Sequence, residues 1–136
     1  MGKIQTFDHC GVVVEDIPRA HQFYNKLLGA KPLWIANLNT YKAYQGWALI
    51  SFVEMGGHRF ELCLAQHPLA PADSSRPFPR IGFALTDEIM ERLLLELKEA
   101  GIAYEGPIAY PDTLPLKQTI RVHDPDGNTI EFSTRR

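Results

Sequence analysis

Apolar and polar positions along this chain alternate between a strand-like and a helical period, and the same order of elements occurs twice. Residues 4–14 are rich in β-branched side chains and predict a strand. Asp16 then precedes Ile17 and Pro18, a helix start with the proline in the first turn. Ala20, Phe23, Tyr24, Leu27 and Leu28 recur at helical spacing, and Gly29 marks the stop. Residues 33–41, 46–53 and 58–64 read as three further strands, with Glu54, Met55, Gly56 and Gly57 turning the last two into a hairpin.

Residues 66–78 carry three prolines, two serines and an aspartate, and read as a linker. After it the order repeats. Residues 80–85 form a strand, Thr86 or Asp87 caps a helix, and Ile89, Leu93, Leu94 and Leu97 make its apolar face before Gly101 stops it. Strands follow over 103–110, 117–123 and 128–134, the last two joined through Asp124, Pro125, Asp126 and Gly127. Each half is thus β-α-β-β-β. The expectation is an α+β fold, one domain over 1–136, with unit one at 1–65, the linker at 66–78 and unit two at 79–136. A single unit leaves apolar faces of its sheet and helix uncovered, so two must pack or pair. Curved mixed sheets of this kind would place a pocket on their concave face.

The halves also echo each other residue by residue. The run from Phe7 to Asp16 lies on the run from Phe78 to Asp87, and His58 to Leu62 lies on Asn128 to Phe132. His9 then stands opposite Arg80, and Glu61 opposite Glu131. One histidine and two glutamates suit a hard divalent cation, but the fourth slot holds an arginine.

Bulk properties narrow the partners. At 136 residues the chain is long enough for one well-buried core, and 45% hydrophobic with 22% charged residues is ordinary globular composition. A formal net charge of −2 offers no reason to expect nucleic acid or an anionic membrane as partner. No apolar run reaches the length of a membrane span and no signal-like segment opens the chain, so a cytoplasmic protein is expected. Cys10 and Cys63 make no disulfide framework. A Gly-rich phosphate loop, a CxxC pair, a Ser-centred nucleophile elbow and a basic stripe are all missing, which leaves nucleotide hydrolysis, thiol redox catalysis and nucleic-acid binding unsupported.

The phrases Phe7-Asp8-His9-Cys10-Gly11-Val12-Val13-Val14-Glu15-Asp16, Phe23-Tyr24 with Leu28-Gly29, and Asp124-Pro125-Asp126-Gly127-Asn128 with Ile130-Glu131-Phe132 resemble the vicinal oxygen chelate superfamily over essentially the whole chain. That superfamily includes glyoxalase I, extradiol dioxygenases, fosfomycin-resistance enzymes, methylmalonyl-CoA epimerase and metal-free bleomycin-binding proteins. The resemblance implies tandem βαβββ units, a homodimer, and a metal site at His9, Glu61, Arg80 and Glu131. Arg80 departs from it: a guanidinium only donates and stays protonated, so at most three protein ligands remain. The same departure argues against a full extradiol iron site, which takes a second histidine there.

The residues leave two readings open. Glu61 and Glu131 sit between apolar neighbours, and a carboxylate so placed needs a metal or a cationic partner. His9 is either a ligand or a pocket histidine held by a hydrogen bond. In the first reading Arg80 forks onto Glu61 or Glu131 and replaces the metal, giving a binding protein for a small oxygen-bearing organic molecule. In the second, His9, Glu61 and Glu131 hold Mg²⁺, Mn²⁺, Fe²⁺, Ni²⁺ or Zn²⁺ while Arg80 binds a substrate anion, giving a metal-dependent lyase, isomerase or dioxygenase-type enzyme. Glu61 or Glu131 would then act as ligand or general base. Trp34, Tyr41, Tyr44 and Trp47 are candidates to stack a planar ligand, although strand aromatics are commonly core. Cys63 reads as a structural thiol sharing a face with Glu61, His123 as a strand-end histidine, and His21, His58 and His67 as surface residues.

Overall fold

The computed structural model describes residues 2–3, 6–37, 49–55, 57–65, 68–69 and 80–136. The chain divides into two compact units, Met1–Pro71 and Ala72–Arg136. Among the described residues each unit holds one open, mixed, four-stranded sheet and one helix, an α+β architecture as expected.

In the first unit the elements run β1 (His9–Val14), α1 (Ile17–Leu28), β2 (Lys31–Asn37), β3 (Leu49–Met55) and β4 (His58–Leu64), with sheet order β1-β4-β3-β2. β1 runs parallel to β4, and the other pairs are antiparallel. β1 begins at His9 and leaves Thr6, Phe7 and Asp8 outside it, because its partner β4 starts only at His58; residues 4–5 of the expected strand lie outside the described residues. Asp16 caps α1 by accepting from the Arg19 amide at 2.9 Å, and Gly29 ends it at φ 63°. Ile17, Ala20, Tyr24 and Leu27 are the buried stripe of α1, and the Tyr24 ring meets Phe60 edge-on with centroids 5.0 Å apart. Phe60 and Leu62 therefore face the helix, and strand alternation puts Glu61 and Cys63 on the opposite face. Fully burying Phe60, Leu62 and Val14 contributes about 1.5–3 kcal/mol each.

His21 is a correction to the sequence reading. It is half-buried, with Nε2 at 2.7 Å from Oγ of Ser51, a wholly buried serine on β3. A serine hydroxyl inside the apolar layer needs a partner, and His21 supplies it.

The second unit repeats the plan with β5 (Arg80–Leu85), α2 (Asp87–Glu99), β6 (Glu105–Ala109), β7 (Leu116–His123) and β8 (Thr129–Arg135), in sheet order β5-β8-β7-β6. Thr86 caps α2 through the Ile89 amide, and Asp87 and Glu88 sit favourably at the positive end of the helix dipole. The buried row is Met90, Leu93 and Leu97, whereas Ile89 is 40% exposed. Of the expected face Leu93 and Leu97 are buried and Leu94 is half-buried, and Met90 takes the place of Ile89. α2 packs on β8, where Ile130 and Phe132 point toward it and Glu131 points away. The turn between β7 and β8 is built on Asp124, a buried carboxylate that accepts from the Asp126 and Asn128 amides and from Asn128 Nδ2 at 2.8–2.9 Å. That turn fixes the register in which Arg121 lies across from Glu131.

Candidate functional site

On the helix-free face of the first unit, the register His9↔Arg59 and Gly11↔Glu61 brings the start of β1 over β4. Gly11 permits a close approach: a Cβ there would stand 3.1 Å from both Cβ and the carbonyl oxygen of Glu61, tighter than an ordinary contact. Glu61 Oε2 lies 3.5 Å from His9 Nε2, and the other ring nitrogen, Nδ1, is 2.7 Å from Oδ2 of Asp8. Cys63 donates its thiol to Glu61 Oε1 at 2.6 Å. Its pKa is pushed up to about 12, first by burial and then by the hydrogen bond and negative charge of Glu61. The thiol therefore stays a donor at neutral pH and is no nucleophile. Asp8, fully exposed, is drawn below the usual carboxylate range, chiefly by its bond to His9.

The second unit carries a different corner at the corresponding place. Arg80 opens β5, and its Nη1 approaches Glu131 Oε2 at 3.3 Å. The same oxygen accepts from Arg121 Nε at 3.0 Å. Two guanidinium groups therefore converge on one carboxylate oxygen, and the hydrogen bond to Glu131 leads the causes that raise the Arg121 pKa. Beyond this pair, His123 bridges Glu105 at Nε2 and Thr129 at Nδ1, both at 3.2 Å, while Thr119 and Ser133 share a 2.7 Å hydroxyl contact.

The two corners differ in what they can hold. Two donors bound to one ion at about 2.1 Å stand about 3.0 Å apart at right angles and about 3.4 Å apart in a tetrahedron. The His9–Glu61 separation of 3.5 Å is close to that upper value. Both groups also have the outer hydrogen bonds that orient metal ligands, from Asp8 and Cys63. With Nδ1–H given to Asp8, Nε2 turns a lone pair toward Glu61 unless the ring is doubly protonated, an arrangement that suits a cation or a proton between them. Glu131 does not fit the same role, because a cation there would meet two guanidiniums at close range. Among the described residues no group of three or more His, Cys, Asp and Glu is placed to hold a metal ion.

The structure thus sets His9 beside Glu61 within the first unit, and Arg80 beside Glu131 within the second. Trp34 falls in β2 opposite Phe52. Tyr41, Tyr44, Trp47 and His67 lie outside the described residues. Sequence reasoning missed Arg121 and gave Asp8 no role. Arg121 was within reach of it: pairing outward from the Asp124 turn, with Val122 on Ile130, puts Arg121 on Glu131.

A family profile described as the Glyoxalase/Bleomycin resistance protein/Dioxygenase superfamily matches residues 6–132. A curated relative, virulence protein STM3117 of Salmonella typhimurium, is 30% identical over 135 residues, covering 96% of this chain and 84% of that protein. The crystal structure of STM3117 superposes with a TM-score of 0.67 at 26% identity, covering 99% of this chain and all of that one. The fosfomycin resistance protein FosX of Listeria monocytogenes shares the fold at 16% identity, with a TM-score of 0.74 over 98% of this chain and 94% of its own. A FosX variant complexed with Mn(II) and 1S,2S-dihydroxypropylphosphonic acid has a TM-score of 0.68 at 14% identity, over 98% of this chain and 95% of its own.

Proposed function

Because the chain belongs to the Glyoxalase/Bleomycin resistance protein/Dioxygenase superfamily, we propose that it binds a small, oxygen-bearing organic molecule on the helix-free faces of its sheets, with no resident metal required. One observation carries this reading: Arg80 and Arg121 both donate to Glu131. The carboxylate that would anchor a cation in the second unit is engaged by guanidiniums, and replacing two charge-assisted bonds with a metal contact would leave both cations crowded against the ion. Positive groups held on the face of a sheet are suited to polarise or bind an oxygen that carries negative charge.

A second reading rests on the first unit. His9 with Asp8 behind it, and Glu61 with Cys63 behind it, offer an imidazole and a carboxylate at ligand spacing. A divalent ion held there would supply Lewis-acid polarisation of a substrate oxygen, and the chain would be a lyase, isomerase or dioxygenase-type enzyme. In that case Glu61 is fixed at one oxygen by the thiol and presents the other for ligation or proton transfer.

Metal analysis of protein purified without chelator or affinity tag separates the two. The metal-free reading expects well under one divalent ion per chain, and stabilisation by small oxygenated ligands in a thermal-shift screen that EDTA leaves unchanged. About one ion per chain, with ligand stabilisation lost on chelation, would overturn it in favour of the second.

A further inference from the structure

We propose that residues 110–116, which join β6 to β7, form a strap that is latched by Arg136 and released by raised ionic strength. The proposal goes beyond the small-molecule reading and does not depend on it. The connection has little to hold itself with. Pro111 and Pro115 have no amide hydrogen to give across it. Among the described residues its one internal backbone bond runs from Leu114 N to Pro111 O at 3.0 Å. Every residue from 111 to 115 is exposed.

Arg136 supplies what the connection lacks. Its Nη1 donates to Leu116 O at 3.0 Å, and Nη2 donates to Tyr110 O at 3.0 Å and to Asp112 Oδ1 at 2.7 Å. Its own amide donates to Pro115 O at 3.0 Å. One planar fork thus spans both ends of the strap, which the compact ammonium of a lysine cannot reproduce. The contact that salt reaches is the ion pair with Asp112, a side chain 99% exposed. A second exposed pair, Lys117 with Asp87 at 2.6 Å, also responds to salt, but it holds β7 against α2 and not the strap. Release stays local, because Tyr110 N is bonded to Lys117 O and β7 is paired with β8 from Gln118 to His123. Ile108 pairs with Thr119, which puts Tyr110, two residues on, at the edge of the helix-free face that carries Arg121. Tyr110 is also within electrostatic reach of that guanidinium. The latch therefore governs a side chain on the face that holds Arg121 and Glu131.

The test is NMR relaxation of the Asp112, Thr113 and Leu114 amides, at low salt and in about 1 M NaCl, where screening acts over about 3 Å. In the parent these amides should be rigid at low salt, with order parameters of about 0.85, and clearly less ordered at high salt. Arg136→Gln should drop them below about 0.6 at either salt, and Arg136→Lys should fall between. Asp112→Asn should keep the strap ordered and lose the salt response. Because Asp112 is fully exposed, that variant carries the test alone if Arg136→Gln fails to fold. The Tyr110 ring resonances should move in step with the strap, while amide resonances away from it stay in place. A strap as rigid in Arg136→Gln as in the parent would overturn the latch. A salt response that survives Asp112→Asn would overturn its release by ionic strength.

Discussion

Replacing Asp124 with alanine removes the centre of the turn that aligns Arg121 with Glu131, and its cost follows from three hydrogen bonds. Oδ1 accepts from the Asp126 amide at 2.9 Å and the Asn128 amide at 2.8 Å, and Oδ2 accepts from Asn128 Nδ2 at 2.8 Å. Asp124 and Asn128 are each 5% exposed, so water cannot take over these donors without opening the turn. Hydrogen bonds to a charged acceptor contribute about 1.5–3 kcal/mol each, but the three share one side chain and do not add fully. A loss of about 3–5 kcal/mol is expected, a large share of the stability of a domain this size. Asp124→Asn keeps one acceptor oxygen but turns an amide against Asn128 Nδ2, and should cost about 2 kcal/mol.

Urea unfolding at neutral pH, with the slope on denaturant unchanged, measures both losses. Because the turn sets the β7–β8 register, the alanine variant should also shift the Arg121 Nε–H resonance without any ligand present. A loss under about 1 kcal/mol for Asp124→Ala would show that the turn is held by its backbone bonds, Asp124 N to Asn128 O and Gly127 N to Asp124 O, and would refute the argument.

Burial holds the pKa of His21 below its ordinary 6.5, so the folded chain binds less proton there than the unfolded chain. The stabilisation from a neutral His21 is therefore complete above pH 6.5 and is lost as pH falls below it, and the melting temperature should drop more steeply between about pH 7 and 5 than in His21→Gln. With its pKa pushed up to about 12, Cys63 should react with a thiol-directed disulfide reagent only on unfolding, and rapid native-state labelling of Cys63 would contradict the bond to Glu61. Gly11→Ala brings a methyl to 3.1 Å from Glu61 and should cost about 1–3 kcal/mol, whereas Gly82→Ala meets open space and should change stability by no more than about 1 kcal/mol. Equal losses at the two glycines would show that the corners are not packed differently.

Much of the fold was legible because its punctuation is local. Asp16, Gly29 and Thr86 act within one helical turn, and the Asp124 turn within five residues, so sequence neighbours decide them. What depends on a distant partner was less legible. Thr6 and Phe7 have strand character, but a strand extends only as far as its neighbour does. His21 was misread by residue type, although its place between Ile17 and Tyr24 on the buried stripe already pointed inward. At the candidate site, the glutamates announced themselves by standing in apolar strands. Their partners did not, because Arg121 becomes visible only when the hairpin register is counted.

The echo between the units has a consequence for how the site could be re-engineered. His9 and Arg80 open the two parallel strands, Gly11 and Gly82 face the two glutamates, and Phe52 and Arg121 lie across from them. The backbone plan is shared, and the ionic preference is set by the two positions that differ in charge. Arg80→His alone should not create a cation site in the second unit, because Arg121 would still hold Glu131 at 3.0 Å. Arg80→His combined with Arg121→Phe restores the histidine, phenylalanine and glutamate of the first unit and removes both positive charges. Mn²⁺ titrated in and followed by electron paramagnetic resonance should then show more uptake by the double variant than by the parent, matching whatever the His9–Glu61 corner takes up, and no increase in the single variant. Equal Mn²⁺ uptake by the single and double variants would mean that Arg121 does not close the corner to cations, and the division of roles between the two arginines would have to be abandoned.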